Sequence, residues 1–305
     1  MFNRISEQTL ARFCGIYSGL VFGIYWIPLR ALEASGFEGM WATTVFNGVS
    51  TLVVAPLIIY YWRNFFHRRW RFHFICFGVG LGYALYASAF VYTQVVSVIV
   101  LFYLMPIWGF LLARWFIGDP ITPARWFSMI IAFAGLWIIL GKGNNIPVPQ
   151  NVGDWMALSS GLIWAALALM LLTDKKENPL NYAAGFVGWG FITCLVSAIV
   201  ATSLGYSAPP HWPALGHELI WLLPFALIVI VPAAVATIYG PTKLNPGIVG
   251  LLFMTEISVG TITAALWAGE PFGTRQIIGI ILITIAGILE TVWLFISTKK
   301  ATDAL

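Results

Sequence analysis

Apolar residues run along this chain in stretches too long for the interior of a soluble fold. They recur at approximate boundaries 12–32, 38–62, 70–92, 95–117, 123–141, 153–173, 180–204, 217–240, 245–268 and 274–297. About 20 mostly apolar residues carry a helix across the roughly 30 Å hydrocarbon layer of a bilayer, so the pattern predicts ten transmembrane helices. The breaks at Arg63–Arg71, Gly118-Asp119-Pro120, Lys142–Gly153, Asp174–Asn178, Gly205–Trp212 and Gly269–Arg275 are polar or rich in glycine and proline, as connections are. The narrowest break is Thr93-Gln94; fusing the runs on either side gives nine spans.

Charge placement favours ten. Lysine and arginine gather on the cytoplasmic side of a membrane protein. With a cytoplasmic N-terminus, one face holds Arg4, Arg12, Arg63, Arg68, Arg69, Arg71, Arg114, Arg125, Lys175, Lys176, Lys243, Lys299 and Lys300, and the other only Arg30, Lys142 and Arg275. A miscounted helix would scatter that bias. Both termini are therefore expected in the cytoplasm, across an inner membrane of bacterial type. The first apolar run lacks a small-residue cleavage site and reads as a retained helix.

Composition agrees. Charged residues are 9% of 305, against roughly 25% in a soluble domain, and mean hydropathy is +0.87. Lipid is the main solvent of such a chain. The net charge of +4 comes from loops, so no nucleic-acid partner is expected. Cys14, Cys76 and Cys194 are scattered through apolar runs, with neither disulfide nor metal-ligand spacing.

The chain repeats itself. Gly23-Ile-Tyr-Trp26 is matched by Gly161-Leu-Ile-Trp164, and Gly118-Asp119-Pro120 with Gly135 by Gly269-Glu270-Pro271 with Gly287. The offset is 138 residues at the tryptophans (164 − 26) and 151 at the acids (270 − 119). The first half thus lacks residues, expected at the tight third-to-fourth connection. Five helices per half is odd, so the second half is inverted relative to the first, and such repeats place substrate near the midplane between them. The expected division is 12–141 for the first repeat, 142–152 for a periplasmic linker and 153–297 for the second repeat.

Those glycine, acid–proline and Gly-x-x-Trp motifs resemble the drug/metabolite transporter superfamily, EamA type, over residues 12 to 297. The first copy departs from the pattern in Asp119 for the usual Glu and in Ser128 where the second half has Gly279. The resemblance implies ten helices, cytoplasmic termini, a central cavity, and secondary transport of amino acids, amines or related metabolites.

Signatures of enzymes and ATP-driven pumps are missing: no G-x-x-x-x-G-K-[ST] loop, no H-E-x-x-H, no Cys/His cluster. No enzyme activity and no cofactor are expected. His211 and His217 read as interfacial. The Gly15, Gly19, Gly23 ladder lets another helix approach closely. An acid near the bilayer centre costs at least ~2.5–3.5 kcal/mol and is usually functional or paired. Glu256 alone falls near the middle of a span, as a cation partner, a proton carrier or a hydrogen-bonded brace. Glu290 lies nearer the cytoplasm, Asp119 and Glu270 read as helix caps, and Asp154, Arg30 and Arg114 sit at helix ends where snorkelling is cheap.

Aromatic side chains are candidate walls for a cation or a ring. Tyr83, Tyr86 and Phe90 share a helix face, Trp26 and Trp164 are related by the repeat, Tyr103 precedes a proline, and Trp189 lies between glycines. Asn47, Ser88 and Gln94 offer hydrogen bonds. Of the in-span prolines at 28, 56, 106, 224 and 232, each frees a carbonyl, and Pro106, Pro224 and Pro232 are the hinge candidates. The function expected is a secondary transporter working by alternating access on a small metabolite. An amino acid or similar zwitterion is favoured, with export preferred; the rival is a cationic amine or quaternary ammonium such as choline. A non-transporting sensor or scaffold is the alternative of another class. The sequence implies a small-molecule substrate and the lipid bilayer as partners and leaves the oligomeric state open.

Overall fold

The computed structural model describes residues 6–60, 69–93, 95–140, 149–267 and 272–302. Gln94 and Glu270 lie outside the described residues, as do the side chains of Phe90 and Glu290. The elements form ten spans among the described residues. Span 1 is α1 (Glu7–Gly23) with α2 (Trp26–Ala34), span 2 is α3 (Met40–Tyr60), span 3 is α4 (Trp70–Tyr92), and span 4 is α5 (Val95–Phe102) with α6 (Met105–Ile117). Span 5 is α7 (Pro123–Leu140), span 6 is α8 (Val152–Thr173), and span 7 is α9 (Pro179–Ser203). Span 8 joins α10 (Leu215–Phe225) to α11 (Val231–Lys243), span 9 joins α12 (Pro246–Phe253) to α13 (Thr255–Trp267), and span 10 is α14 (Thr274–Thr302). The protein is an all-α, multi-pass membrane protein of ten helices in two inverted five-helix repeats. Six of the described helices, by length and composition alone, are long and apolar enough to cross a bilayer.

Several spans are interrupted, for chemical reasons. Proline has no N–H to give the carbonyl four residues back. Pro28 leaves Ile24 without that bond, and the Ile27 N–H closes a tighter turn onto Ile24 instead, at 3.1 Å, where α1 meets α2. Pro106 does the same to Phe102, at the junction of α5 and α6. In span 8 a single π turn, Ala226–Ile230, lies between Pro224 and Pro232. Span 9 has no proline at its junction. There the Thr255 hydroxyl donates to the Leu252 carbonyl at 2.8 Å, competing with the backbone at Met254.

Packing swaps the halves. Span 1 lies against spans 8 and 9, while its counterpart, span 6, lies against spans 3 and 4. Spans 2 and 7, 4 and 9, and 5 and 10 pair across the approximate twofold axis. Contact in these pairs is backbone to backbone where glycine permits it. A Cβ on Gly109 would lie 2.5 Å from the Gly247 nitrogen, and one on Gly135 2.8 Å from the Gly279 oxygen. The Gly15, Gly19, Gly23 ladder of α1 faces span 9, against Leu252, Thr255, Glu256 and Val259.

The repeat offset corrects one expectation. Tyr92 ends α4 and Lys243 ends α11, already 151 residues apart (243 − 92), and the same offset carries α5 onto α12. The missing residues of the first half therefore lie before the end of α4, where span 3 (Trp70–Tyr92) is shorter than its counterpart Leu215–Lys243, and not at the third-to-fourth connection. Thr93 was the narrow break in the sequence, yet its counterpart Leu244 sits in an equally short one.

Polar ties close both ends of the bundle. Where α1 begins, Asp174 takes bonds from the Lys176 N–H (3.0 Å), the Tyr182 hydroxyl (2.8 Å) and Arg69 (3.2 Å), with Arg71 at 3.6 Å. Burial alone would push that carboxyl's pKa up; these donors and charges outweigh it and hold it below its ordinary value. Lys243 meets Glu7 at 2.8 Å. Asp119 accepts from Asn245 (2.5 Å) and Arg125 (3.1 Å), so it ties neighbouring helices and does not act as the simple cap its position suggested. At the opposite end Asp154 is buried, bonded to Thr93 (2.7 Å) and the Gln150 N–H (2.9 Å), and does not snorkel. Glu218 there accepts from Ser35 and Trp221.

Candidate functional site

The turns that interrupt spans 4 and 9 are equivalent under the repeat: the 151 offset takes Tyr103 onto Met254 and Phe102 onto Phe253. Spans 4 and 9 also cross, with Pro106 against Gly250 and Gly109 against Gly247. The two interruptions therefore meet at the centre of the bundle, and the sequence puts different chemistry on each. The first brings Tyr103; the second brings Glu256, in the first turn of α13.

Tyr103 is fully buried. Its hydroxyl lies 2.5 Å from Glu256 Oε2 and 3.1 Å from the Phe253 carbonyl, and the Tyr86 hydroxyl is 3.3 Å from Glu256 Oε1. The Glu256 backbone is fixed from behind, since a Cβ on Gly19 would lie 3.1 Å from its nitrogen and one on Gly23 2.9 Å from its oxygen. Close helix approach thus holds the acid at mid-span, between two phenols that donate to its ionised form.

Glu256 faces a chamber walled by Phe22, Tyr83, Tyr86, Phe102, Trp164, Phe186 and Phe253, with Gly82, Ser160 and Thr237. The space open to centres of water-sized molecules is about 40 Å³, enough for a few waters at ~10–15 Å³ each. A second chamber of about 30 Å³ by the same measure shares Phe22, Tyr83 and Phe186, and adds Tyr25, Phe46, Asn47 and Ser50. The shared rings part the two chambers, so a solute larger than a few waters requires them to move. The walls come in repeat-related pairs: Phe102 with Phe253, Tyr86 with Thr237, Tyr83 with Ala234 at the 151 offset, and Phe22 with Ser160 at 138. The chambers therefore straddle the axis that relates the halves. Among the described residues lining them there is one carboxylate and no lysine, arginine or histidine.

Of the residues singled out in the sequence, Tyr83, Tyr86, Trp164 and Glu256 line the first chamber, Asn47 lines the second, and Tyr103 reaches the site through Glu256. The Asn47 amide donates to the Thr43 carbonyl (2.9 Å) and the Tyr83 hydroxyl (3.3 Å). Trp26 and Trp189 are not in the lining. Trp26 donates to Thr263 at 3.1 Å, with the Arg30 guanidinium over its ring, and its neighbour Tyr25 takes the wall position instead. Trp189 donates to His73 at 3.4 Å and packs on Phe77. Ser88 is buried and bonds back to the Ala84 carbonyl. Phe22, Tyr25, Phe186 and the Phe102–Phe253 pair went unflagged; the repeat offset links Phe102 to Phe253 and Phe22 to Ser160 but gives no wall partner for Tyr25 or Phe186.

Two inverted halves, broken helices crossing at the centre, and an acid in an aromatic chamber between them define a multi-pass protein of the inverted-repeat transport type. The model of the EamA-like transporter family matches the chain twice, over residues 9–141 and 151–292. The chain belongs to that family, and it is a membrane transporter of small molecules. One solved crystal structure superposes on it with a TM-score of 0.69, covering 93% of this chain and 96% of its own at 16% identity, which shows the shared fold alone. No curated protein matches the sequence.

Proposed function

We propose that the protein is a secondary transporter of a small organic cation, an amine or quaternary ammonium, held by Glu256 among the aromatic walls. One observation carries this: the chamber lining offers a single carboxylate and no basic side chain among the described residues. Aromatic faces attract an ammonium by about 0.5–2 kcal/mol each, and the carboxylate adds a charge-assisted hydrogen bond of about 1.5–3 kcal/mol. A zwitterion, the substrate favoured from sequence, needs a partner for its own carboxylate as well. Transport proceeds by alternating access, with Pro106, Pro224 and Pro232 at the interruptions that flex. The lysine and arginine bias supports a reading with both termini in the cytoplasm, at an inner membrane. A proton and a cation compete for Glu256, which makes exchange of one for the other the natural coupling and export the natural direction.

The test is Glu256→Gln, which keeps shape and hydrogen bonding while removing charge. Binding of ammonium compounds to purified protein, read as a melting shift, should weaken about 10- to 100-fold, from ~1.5–3 kcal/mol at 1.4 kcal/mol per tenfold. The wild type should also bind them less well as pH falls. Unchanged affinity and unchanged pH dependence in the variant would sink the proposal.

A further inference from the structure

The polar atoms lining the first chamber are nearly all engaged. Ser160 donates to the Gly82 carbonyl at 2.6 Å, Thr237 donates to the Ala233 carbonyl at 2.7 Å and lies 2.5 Å from the Ser18 hydroxyl, and Tyr86 is bonded to Glu256. Trp164 differs. The residue is 8% exposed, it forms part of the chamber wall, and its indole nitrogen is buried with no hydrogen-bond partner. Four other tryptophans show what is usual in this protein: Trp26, Trp41, Trp189 and Trp221 each donate to a side chain. Trp108 shares the lack of an acceptor but lies outside the chamber lining.

The indole cannot readily turn to find an acceptor elsewhere. Its ring packs against Phe186 at 6.4 Å and Phe253 at 6.0 Å between centroids. One turn earlier, a Cβ on Gly161 would lie 2.6 Å from the Phe102 carbonyl, so α8 is pressed against the interruption of span 4. A buried donor in a tightly packed wall is costly to leave unmet. A water could cap it only with two or more further polar partners, and the protons of the neighbouring Ser160, Thr237 and Tyr86 hydroxyls are already committed.

We infer that the Trp164 indole N–H is a substrate-binding donor, and that the transported ammonium compound carries a neutral oxygen acceptor (hydroxyl or carbonyl) on the same small skeleton. The ammonium part of this assignment rests on the cation reading above; the donor part rests on Trp164 alone. Trp164 then sets specificity: it favours an amino alcohol over the plain alkylamine of the same size, because the plain amine leaves the N–H unmet.

The experiment measures binding by melting shift and flux in proteoliposomes for matched pairs, ethanolamine against propylamine and choline against propyltrimethylammonium, in wild type and Trp164→Phe. Benzyl alcohol against ethylbenzene serves as an uncharged pair. A second variant replaces Trp164 by benzothienylalanine, which keeps the bicyclic shape and lacks only the N–H, so that a misfolded Phe variant does not decide the matter. The wild type should prefer the oxygen-bearing member of each ammonium pair by about fivefold or more. Both variants should bring that ratio close to one by weakening the oxygen-bearing member alone. A ratio unmoved in the benzothienyl variant, or equal weakening of both members, overturns the assignment while leaving the cation reading intact. Loss of discrimination confined to the uncharged pair keeps the Trp164 donor and removes the cation. Binding of no compound of either charge overturns both.

Discussion

The crossing of spans 4 and 9 makes a quantitative demand on Gly109. A methyl group there would sit 2.5 Å from the Gly247 nitrogen, 2.7 Å from the Pro246 carbonyl carbon and 2.9 Å from the Gly247 Cα. These are backbone atoms, so no side chain can swing aside. Ordinary carbon contacts begin near 3.4 Å, and in Gly109→Ala the helices must part by about 1 Å. Overpacking of this kind costs about 1–3 kcal/mol. The Tyr103 hydroxyl, two turns back along span 4, is 2.5 Å from Glu256; parting the helices by about 1 Å stretches that bond beyond useful length and adds about 1 kcal/mol. The better helix propensity of alanine returns less than ~1 kcal/mol. A net loss of about 2–3 kcal/mol corresponds to a fall in Tm of roughly 5–10 °C at about 2–4 °C per kcal/mol. Thermal unfolding in detergent, followed by tryptophan fluorescence, reads it directly. Gly216→Ala is the control: that glycine lies in a helix with nothing within 4 Å of a new Cβ, and it should melt like wild type or slightly higher. If Gly109→Ala melted within about 2 °C of wild type, the backbone-to-backbone crossing would be refuted, and the placement of Tyr103 against Glu256 with it.

Two further outcomes are expected. Asp174 has a lowered folded-state pKa, so its stabilising effect is fully present above the unfolded value of about 3.9 and is lost as pH falls through the folded value; melting curves across acid pH should show that loss, and Asp174→Asn should flatten it while costing about 1–2 kcal/mol at neutral pH. Pro106→Ala returns an N–H to the Phe102 carbonyl and should straighten the interruption of span 4; as a hinge residue its loss should cut flux while equilibrium binding stays within about twofold, whereas equal losses in both would make Pro106 a packing residue only.

The spans and their inversion were legible because lipid imposes one requirement, about 20 apolar residues closed by polar connections, and this chain meets it with little ambiguity. The interruptions at Pro28, Pro106 and Pro232 were legible for the same kind of reason, a missing N–H. The one in span 9 was not. Thr255 looks like any hydroxyl residue in a membrane helix until its bond to the Leu252 carbonyl is seen. Glu256 stood out by its charge, but Phe22, Phe186 and Phe253 could not, since the sequence holds 22 phenylalanines and the described ones include exposed, core and chamber positions alike. Trp26 was chosen over Tyr25 through its match with Trp164, yet adjacent helical residues point about 100° apart, and the bond to Thr263 holds Trp26 outside the chamber. Placing the length difference at the wrong connection also hid the pairs that the 151 offset reveals.

The asymmetry of the repeat is what gives the site its chemistry. Under the 151 offset Glu256 falls on Met105 and Tyr103 on Met254, so neither half carries both groups, and only their crossing makes the pair. Tyr103 has one proton and two acceptors in reach, Glu256 at 2.5 Å and the Phe253 carbonyl at 3.1 Å. An ionised Glu256 claims that proton. On the cation reading proposed above, a Glu256 neutralised by its own proton, or satisfied by an ammonium, would release the hydroxyl to the Phe253 carbonyl beside the Met254 turn. A ligand shifts a conformational equilibrium only by binding its states unequally, and on that reading such an exchange would supply an inequality: the charge at the acid would decide whether the interruption of span 9 is tied to that of span 4 through a side chain or through the backbone. A symmetric pair of tyrosines, or of acids, would give no such choice.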